Sequence, residues 1–194
     1  MQKSLKRCPW PTANDPLYIA YHDKEWGVPV HNDRKLYEFL VLEAFQAGLS
    51  WRTVLHKREN FKKAFAGFDP KEVSKFGKRD VARMLKDAGI IRNKLKIEAA
   101  INNAQRFLDV QKEFGNFAKY QWQFVSGKPI IHEIKSLKDY PTKTQEAEFM
   151  AEDMKKRGFK FLGPTVLYAH MQAVGMVQDH TVDCFRYKQL FSKS

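Results

Sequence analysis

Arg157-Gly158-Phe159-Lys160-Phe161-Leu162-Gly163-Pro164-Thr165 reads as a short hairpin, bounded by glycines, that joins two helices. Pro141-Thr142 leads into the first helix, which runs through Lys156, and the apolar segment from Pro164 to Val174 supplies the second. Pro164 suits a first helical turn because its missing N–H has no intrahelical partner there anyway. Glycines let another molecule approach the backbone closely, and the amides of a helix N-terminus favour an anion. Lys155, Lys156 and Lys160 add positive charge around the turn. An ordinary pair of antiparallel helices would explain the same residues in a neutral or acidic chain.

This chain is neither. Its 194 residues carry a formal net charge of +12, with a pI of about 9.6, which favours a polyanionic partner. The basic residues are spread along the chain, at Lys57-Arg58, Lys62-Lys63, Lys78-Arg79, Arg92-Asn93-Lys94 and Lys155-Lys156-Arg157. That pattern suits a folded surface gripping phosphates better than a disordered basic tail. With 43% hydrophobic residues the chain can bury a real core, and residues 1–194 read as one domain without repeats or linkers. No apolar run approaches the roughly 20 residues of a membrane span. Met1-Gln2-Lys3-Ser4-Leu5-Lys6-Arg7 has charge but no apolar stretch behind it, so a reducing, cytoplasmic location is expected.

Outward from the hairpin, the remaining elements also read as helices. Asp15-Pro16 caps and opens one through Trp26 that Gly27 stops, and Asn32-Asp33 caps another that Gly48 ends. Ser50 caps a third through about Phe65, Asp69-Pro70 starts a short fourth, and Lys78-Arg79-Asp80 begins a fifth ending at Gly89. A long helix covers about Asn93 to Phe114. Residues 115–140 are the least legible, with a turn and extended flanks expected around residues 125–131.

One position stands out in the helix after Asn32-Asp33. Leu36-Tyr37-Glu38-Phe39-Leu40-Val41-Leu42-Glu43-Ala44-Phe45 is apolar almost all round from Phe39 onward, the mark of a buried helix. Glu43 falls at helical spacing from Leu36, Phe39, Leu40 and Ala47, so it shares a core face. A buried unpaired carboxylate costs several kcal/mol by order of magnitude, or takes up a proton. The helix runs into Gln46-Ala47-Gly48-Leu49-Ser50-Trp51, which places a protruding Leu and an aromatic close by. This combination suits a pocket for a flat, cationic, hydrogen-bonding ring; a core Glu paired with an Arg is the alternative.

The two cysteines, Cys8 and Cys184, lie near opposite ends of the chain, and a disulfide between them is not expected in a reducing compartment. Cys8 precedes His22, while His180 precedes Cys184 by a helical spacing that would put both on one face. Together the four make a Cys2His2 set suited to tetrahedral zinc, closed and therefore structural, which would clip the two ends of the chain together. Two unrelated buried cysteines and two ordinary histidines are the alternative.

With these residues in place, the chain resembles the bacterial 3-methyladenine DNA glycosylases of type I, within the helix-hairpin-helix superfamily. The likeness spans nearly the whole chain. It is carried by Asp15-Pro16-Leu17-Tyr18-Ile19-Ala20-Tyr21-His22-Asp23 with Glu25-Trp26-Gly27, by Gln46 to Trp51, by Lys57-Arg58-Glu59-Asn60, by Asp87 to Arg92 and by Lys156 to Phe161. The resemblance implies an all-α helix-hairpin-helix fold, with that element at about residues 145–175 and a structural zinc on Cys8, His22, His180 and Cys184. It puts the base pocket on Glu43 and Tyr21 as catalytic residues, with Trp51, Tyr18, Trp10 and Trp26 around the base. It puts the DNA contacts on Leu49, as a wedge into the gap left by the lesion, and on Gly158, Lys160 and Gly163 at the phosphate-binding hairpin. Ala44-Phe45 after Glu43 departs from the family and bears on pocket shape.

Many superfamily members carry a catalytic Asp after the hairpin's second helix. Alignment on His180 puts Gln178 there, with Asp179 one place off, in keeping with type I enzymes, which generally lack that Asp. No lysine lies where lyase members place their nucleophile. The expectation is a monomeric, monofunctional hydrolase acting on 3-methyladenine in double-stranded DNA. The alternative of a different class is a zinc-stapled, non-catalytic sensor of alkylated or distorted duplex, from which release of free base would distinguish it.

Overall fold

The structure, a computed structural model, describes residues 5–12 and 14–191; Met1 to Ser4 of the leader reading lie outside the described residues. The order is α1 (Pro16–Lys24), α2 (Asp33–Gln46), α3 (Trp51–His56), α4 (Arg58–Ala64), α5 (Pro70–Val73), α6 (Lys78–Lys86), α7 (Lys94–Phe114), α8 (Phe117–Trp122), β1 (Ile130–Ile131), α9 (Gln145–Lys156), α10 (Pro164–Ala173), β2 (Val177–Gln178) and α11 (Phe185–Phe191). The fold is helical, as expected, apart from the short parallel pair of β1 and β2. A bridge from Ile134 to Thr181 continues that pairing and lays residues 130–134 beside the segment leading to His180.

Local chemistry explains most boundaries. Side-chain oxygens of Asp15, Asn32, Ser50, Asp69 and Asn93 accept backbone N–H groups at the starts of α1, α2, α3, α5 and α7, each contributing about 1 kcal/mol. Three helices are shorter than their sequence suggests, among them α6, which stops at Lys86 rather than Gly89. Helix α1 ends at Lys24, not Trp26, and the expected helix from Ser50 to Phe65 breaks at Lys57. Tertiary contacts accompany that break: Lys57 Nζ donates to Ala88 O at 3.1 Å, and Arg58 forks onto Glu25 and reaches Glu38.

Helix α2 lies at the centre, packed against α3, α7, α8 and α10. Leu36, Phe39, Leu40, Leu42 and Phe45 are all buried in it, each stabilising by about 1.5–3 kcal/mol. Ala47, expected on the same buried face, lies past the helix end and is exposed. Lys96 closes this end from α7, its buried Nζ donating to Phe45 O at 2.9 Å and Ala47 O at 2.6 Å. That contact sets the turn carrying Leu49. Helices α9 and α10 pack on each other as the arms of the hairpin, and α10 runs from it back onto α2.

His170 makes the core sensitive to acid. It is fully buried in α10 and pairs with Gln121 Oε1 at 3.0 Å, and burial pushes its pKa from 6.5 down to about 3. Between those values the unfolded chain binds the extra proton, so this group's contribution is intact above pH 6.5 and lost as pH falls toward 3. We expect His170→Gln to flatten the stability profile over pH 5–6.5, by about 1.4 kcal/mol per pH unit, in urea melts of both proteins. Parallel profiles would place the acid sensitivity elsewhere.

No helix among the described residues is long and apolar enough to cross a membrane.

Candidate active site and metal centre

Helices α1, α2, α3 and α10 enclose a pocket of about 290 Å³ lined by Trp10, Tyr18, Tyr21, Trp26, Glu43 and Trp51. These are the six side chains that sequence reasoning singled out for the base. Tyr21 and Trp51 have ring centroids 5.1 Å apart, and Trp10 stands 5.2 Å from Tyr18 and 4.9 Å from Trp26. The lining is therefore rich in mutually packed aromatic rings, a surface suited to a planar ring.

Glu43 is 3% exposed, and its Oε2 has no hydrogen-bond partner among the described residues. The paired-glutamate alternative fails here: Arg58, the guanidinium on this side of α2, is taken by Glu25 and Glu38. Burial raises the Glu43 pKa from 4.5 to about 8, so its neutral form is favoured at neutral pH unless a cation lies beside it. Burial, and then the Glu43 carboxyl, keep the Tyr21 phenol well above its ordinary range. Trp51 Nε1 and Tyr140 OH are also buried without hydrogen-bond partners among the described residues. Three polar atoms left unsatisfied around one cavity mark a place built to meet a polar guest.

Sequence reasoning missed Gln46, Leu137, Tyr140, Ala169 and Gln172, which complete the lining. Ala169 and Gln172 stand three apart on α10 and were findable as one helical face. Leu137 and Tyr140 come from the segment least legible in sequence. Ala44 and Phe45 do not line the pocket; Phe45 packs instead on Phe61, at 4.7 Å between ring centroids.

Behind Trp10 and Trp26, ligand atoms of Cys8, His22, His180 and Cys184 lie within 4.8 Å of one another, all four residues buried. The His180 and Cys184 reading needs one correction. They occupy a turn between β2 and α11 rather than one helix face, and Cys184 N–H donates to Thr181 O at 2.8 Å to close it. The fit to a metal is good. Sulfur–nitrogen separations of 3.3 Å for Cys8 to His180, and 3.6 Å from Cys184 to His22 and to His180, match the roughly 3.6 Å edge of a tetrahedron with zinc-like bond lengths. The far ring nitrogens are also held, His22 Nδ1 by Asp23 Oδ1 at 2.7 Å and His180 Nε2 by Trp26 O at 3.1 Å. Such outer partners fix the tautomer a ligating imidazole needs. Gly27 makes room: a Cβ there would sit 3.2 Å from the His180 ring. The two cysteines are free thiols, and the group could hold a metal ion.

The hairpin lies at the far end of α10. Gly158 has a φ of +86°, and Asn102 and Asn103 of α7 staple the turn through Gly158 O, Lys160 O and Lys160 N–H at 2.8–2.9 Å. Phe159 and Leu162 point into the core, which leaves Lys160 outside. Gly163 caps α10 without a side-chain bond, and a Cβ there would meet nothing within 4 Å. The first-turn amides of α10 are thus accessible to an anion. Leu49 protrudes at 44% exposure from the turn between Glu43 and Trp51. Of the two residues considered for a catalytic Asp, Gln178 is buried with its Oε1 accepting His180 N–H at 3.1 Å, and neither it nor Asp179 lines the pocket.

Known proteins are similar to this chain in sequence and in fold. A family model described as methyladenine glycosylase matches residues 10–187. DNA-3-methyladenine glycosylase 1 of Escherichia coli (strain K12) is 46% identical over 183 residues, 94% of this chain and 97% of that protein. A crystal structure of 3-methyladenine DNA glycosylase I superposes with a TM-score of 0.89 at 49% identity, covering 93% of this chain and 98% of the other. The Staphylococcus aureus enzyme, solved to explain 3-methyladenine recognition, gives the same TM-score at 35% identity, over 93% and 96% of the two chains. Likeness of that extent, in sequence and in fold together, leaves one conclusion: the chain belongs to the methyladenine glycosylase family.

Proposed function

We propose that the protein is a monofunctional DNA glycosylase that hydrolyses the N-glycosidic bond of 3-methyladenine in alkylated duplex DNA. The observation that carries this reading is the pair of buried atoms Glu43 Oε2 and Trp51 Nε1, without hydrogen-bond partners among the described residues, inside an aromatic pocket. Methylation at N3 gives adenine a positive charge and weakens its bond to deoxyribose, so the base departs neutral without prior protonation. Recognition, together with stabilisation of the transition state, then matters more than a strong acid. A flipped base would lie against Tyr21 and Trp51, with Trp10, Tyr18 and Trp26 closing the cage, held by stacking and by cation–π attraction while charge remains. Glu43 would release its proton to solvent as the cationic base arrives and, as a carboxylate, accept hydrogen bonds from the base. Normal adenine is neutral and a poor leaving group, so it is disfavoured twice.

Residues 1–194 act in this reading as one domain, monomeric and cytoplasmic, with zinc as the ion of the Cys2His2 group. Cys8, His22, His180 and Cys184 would supply all four ligands of such an ion, tying the chain ends together and leaving no position for a reacting water. No lysine lines the pocket among the described residues, which supports hydrolysis without lyase chemistry. Chromatography of alkylated duplex after incubation tests the proposal. Free 3-methyladenine with no borohydride-trapped adduct is expected, whereas tight binding without release would favour the sensor.

Phosphate grip and base reading should separate by mutation. Lys160→Glu should weaken binding to alkylated and unmodified duplex by similar factors and reduce the salt slope by about one counterion. Equal slopes for variant and wild type would remove Lys160 from the contacts. Leu49→Ala should impair excision from duplex while leaving affinity for free 3-methyladenine unchanged.

A further inference from the structure

Gln172 sits in the last turn of α10 and lines the pocket, yet the reading above gives it no task. Its backbone is fixed, since its carbonyl accepts Gly27 N–H at 3.0 Å. Its side chain is fixed as well. Gln172 Nε2 donates to Asp179 Oδ2 at 2.7 Å, and Asp179 is 1% exposed. The same Oδ2 accepts the Tyr168 hydroxyl, while Oδ1 faces His132 Nδ1 at 2.7 Å.

This arrangement removes the usual ambiguity of an amide. A carboxylate offers only acceptors, so Gln172 must turn its NH2 toward Asp179 and leave Oε1 as the pole that can meet a pocket occupant. Among the pocket's other polar groups, no acceptor has its sense fixed in this way. Glu43 can accept or donate, the Tyr140 hydroxyl can do either, and Trp51 Nε1 only donates. Gln172 Oε1 is thus the acceptor whose sense is set by the fold, and it suits a donor on the edge of a flipped purine.

We infer that Gln172 is a specificity-determining residue whose Oε1 accepts a hydrogen bond from the exocyclic amino group of the bound purine, and that Asp179 is the positioning residue that fixes this polarity. The inference rests on the glycosylase reading and deepens it. A site built to bond an amino group disfavours an analogue carrying a carbonyl there, because two acceptors then face each other.

The test compares two free bases, 3-methyladenine and 3-methylhypoxanthine, which differ by an amino group against a carbonyl. Both are titrated by tryptophan fluorescence against zinc-loaded wild type, Gln172→Leu and Asp179→Asn, with melting temperature and metal content recorded for each protein. Wild type should favour the amino base, and Gln172→Leu should reduce that preference by roughly tenfold. Asp179→Asn should reduce it similarly with Gln172 intact, because an Asn donor lets the amide turn over. If Asp179→Asn does not fold, Gln172→Leu still decides, since it leaves the Asp179 bonds to Tyr168 and His132 in place. A merely structural role would weaken both bases equally, and that unchanged ratio overturns the inference alone. A wild type that binds neither base overturns the glycosylase reading and the inference together.

Discussion

Glu43→Gln is expected to lose single-turnover base release by 10²-fold or more, equivalent to roughly 3 kcal/mol of transition-state stabilisation, while melting no lower than wild type. The change keeps the shape of the side chain, removes its ability to ionise and replaces one acceptor oxygen by a donor amide. Nothing in the fold depends on the lost charge, because Oε2 has no partner among the described residues and the nearby Arg58 is held by Glu25 and Glu38. Wild-type stability should in fact carry the cost of this group. Its pKa rises from 4.5 unfolded to about 8 folded, so the folded state binds the extra proton between those values, and stability falls as pH rises through that window. At pH 7 the cost is on the order of 3 kcal/mol. The Gln variant lacks that slope, so its advantage in urea melts should widen from pH 5 to pH 8.

Activity should move with pH in the opposite sense. A cationic lesion entering below pH 8 displaces the Glu43 proton, so kcat/KM should climb toward pH 8 in wild type and stay level in the variant. Near-normal release by a stably folded Gln variant would remove Glu43 from the site. A variant that melts far below wild type would show that the carboxyl has a structural partner after all.

How far the sequence led depended on where each residue's partners lie along the chain. Glu43 was legible because a carboxylate on an all-apolar helix violates a local rule, and Trp51 follows within a few residues. Boundaries with a capping side chain, such as Asn32, Ser50 and Asn93, were legible for the same reason. The turn that replaces a helix face at His180 and Cys184 was not. It forms because β2 pairs with β1, some 47 residues upstream, and no helical periodicity encodes that pairing. Tyr140 and Leu137 were hidden by the same segment, which enters the pocket only once Ile130, Ile131 and Ile134 have found their partners. Asp179 illustrates the reverse. Sequence reasoning weighed it as a misaligned catalytic acid, but its carboxylate is turned onto Tyr168, Gln172 and His132. Its chemistry depends on its three donors, not on its position along the chain.

Cys184→Ala should lose the bound zinc and lower the melting temperature by roughly 10 °C, the equivalent of about 4 kcal/mol for a chain of this length. The estimate follows from topology. Cys8 and His22 belong to the N-terminal segment and His180 and Cys184 to the C-terminal one, so an ion held by all four would close a loop of most of the chain, and such closures remove the most entropy from the unfolded state. Elemental analysis should find about one zinc per wild-type chain and none in the variant, and chelation should bring wild-type melting down to that of the variant. Base release should suffer less than in Glu43→Gln at temperatures where the variant is folded. The centre reaches the pocket through Trp26, whose ring lies 4.6 Å from His180 and 4.9 Å from Trp10, while Glu43 and Trp51 stand on α2 and α3 and keep their support. A wild-type protein that purifies without metal, and melts unchanged in chelator, would sink the structural zinc. Abolished release in a metal-free protein of unchanged stability would instead make the ion catalytic, against the closed set of four protein ligands.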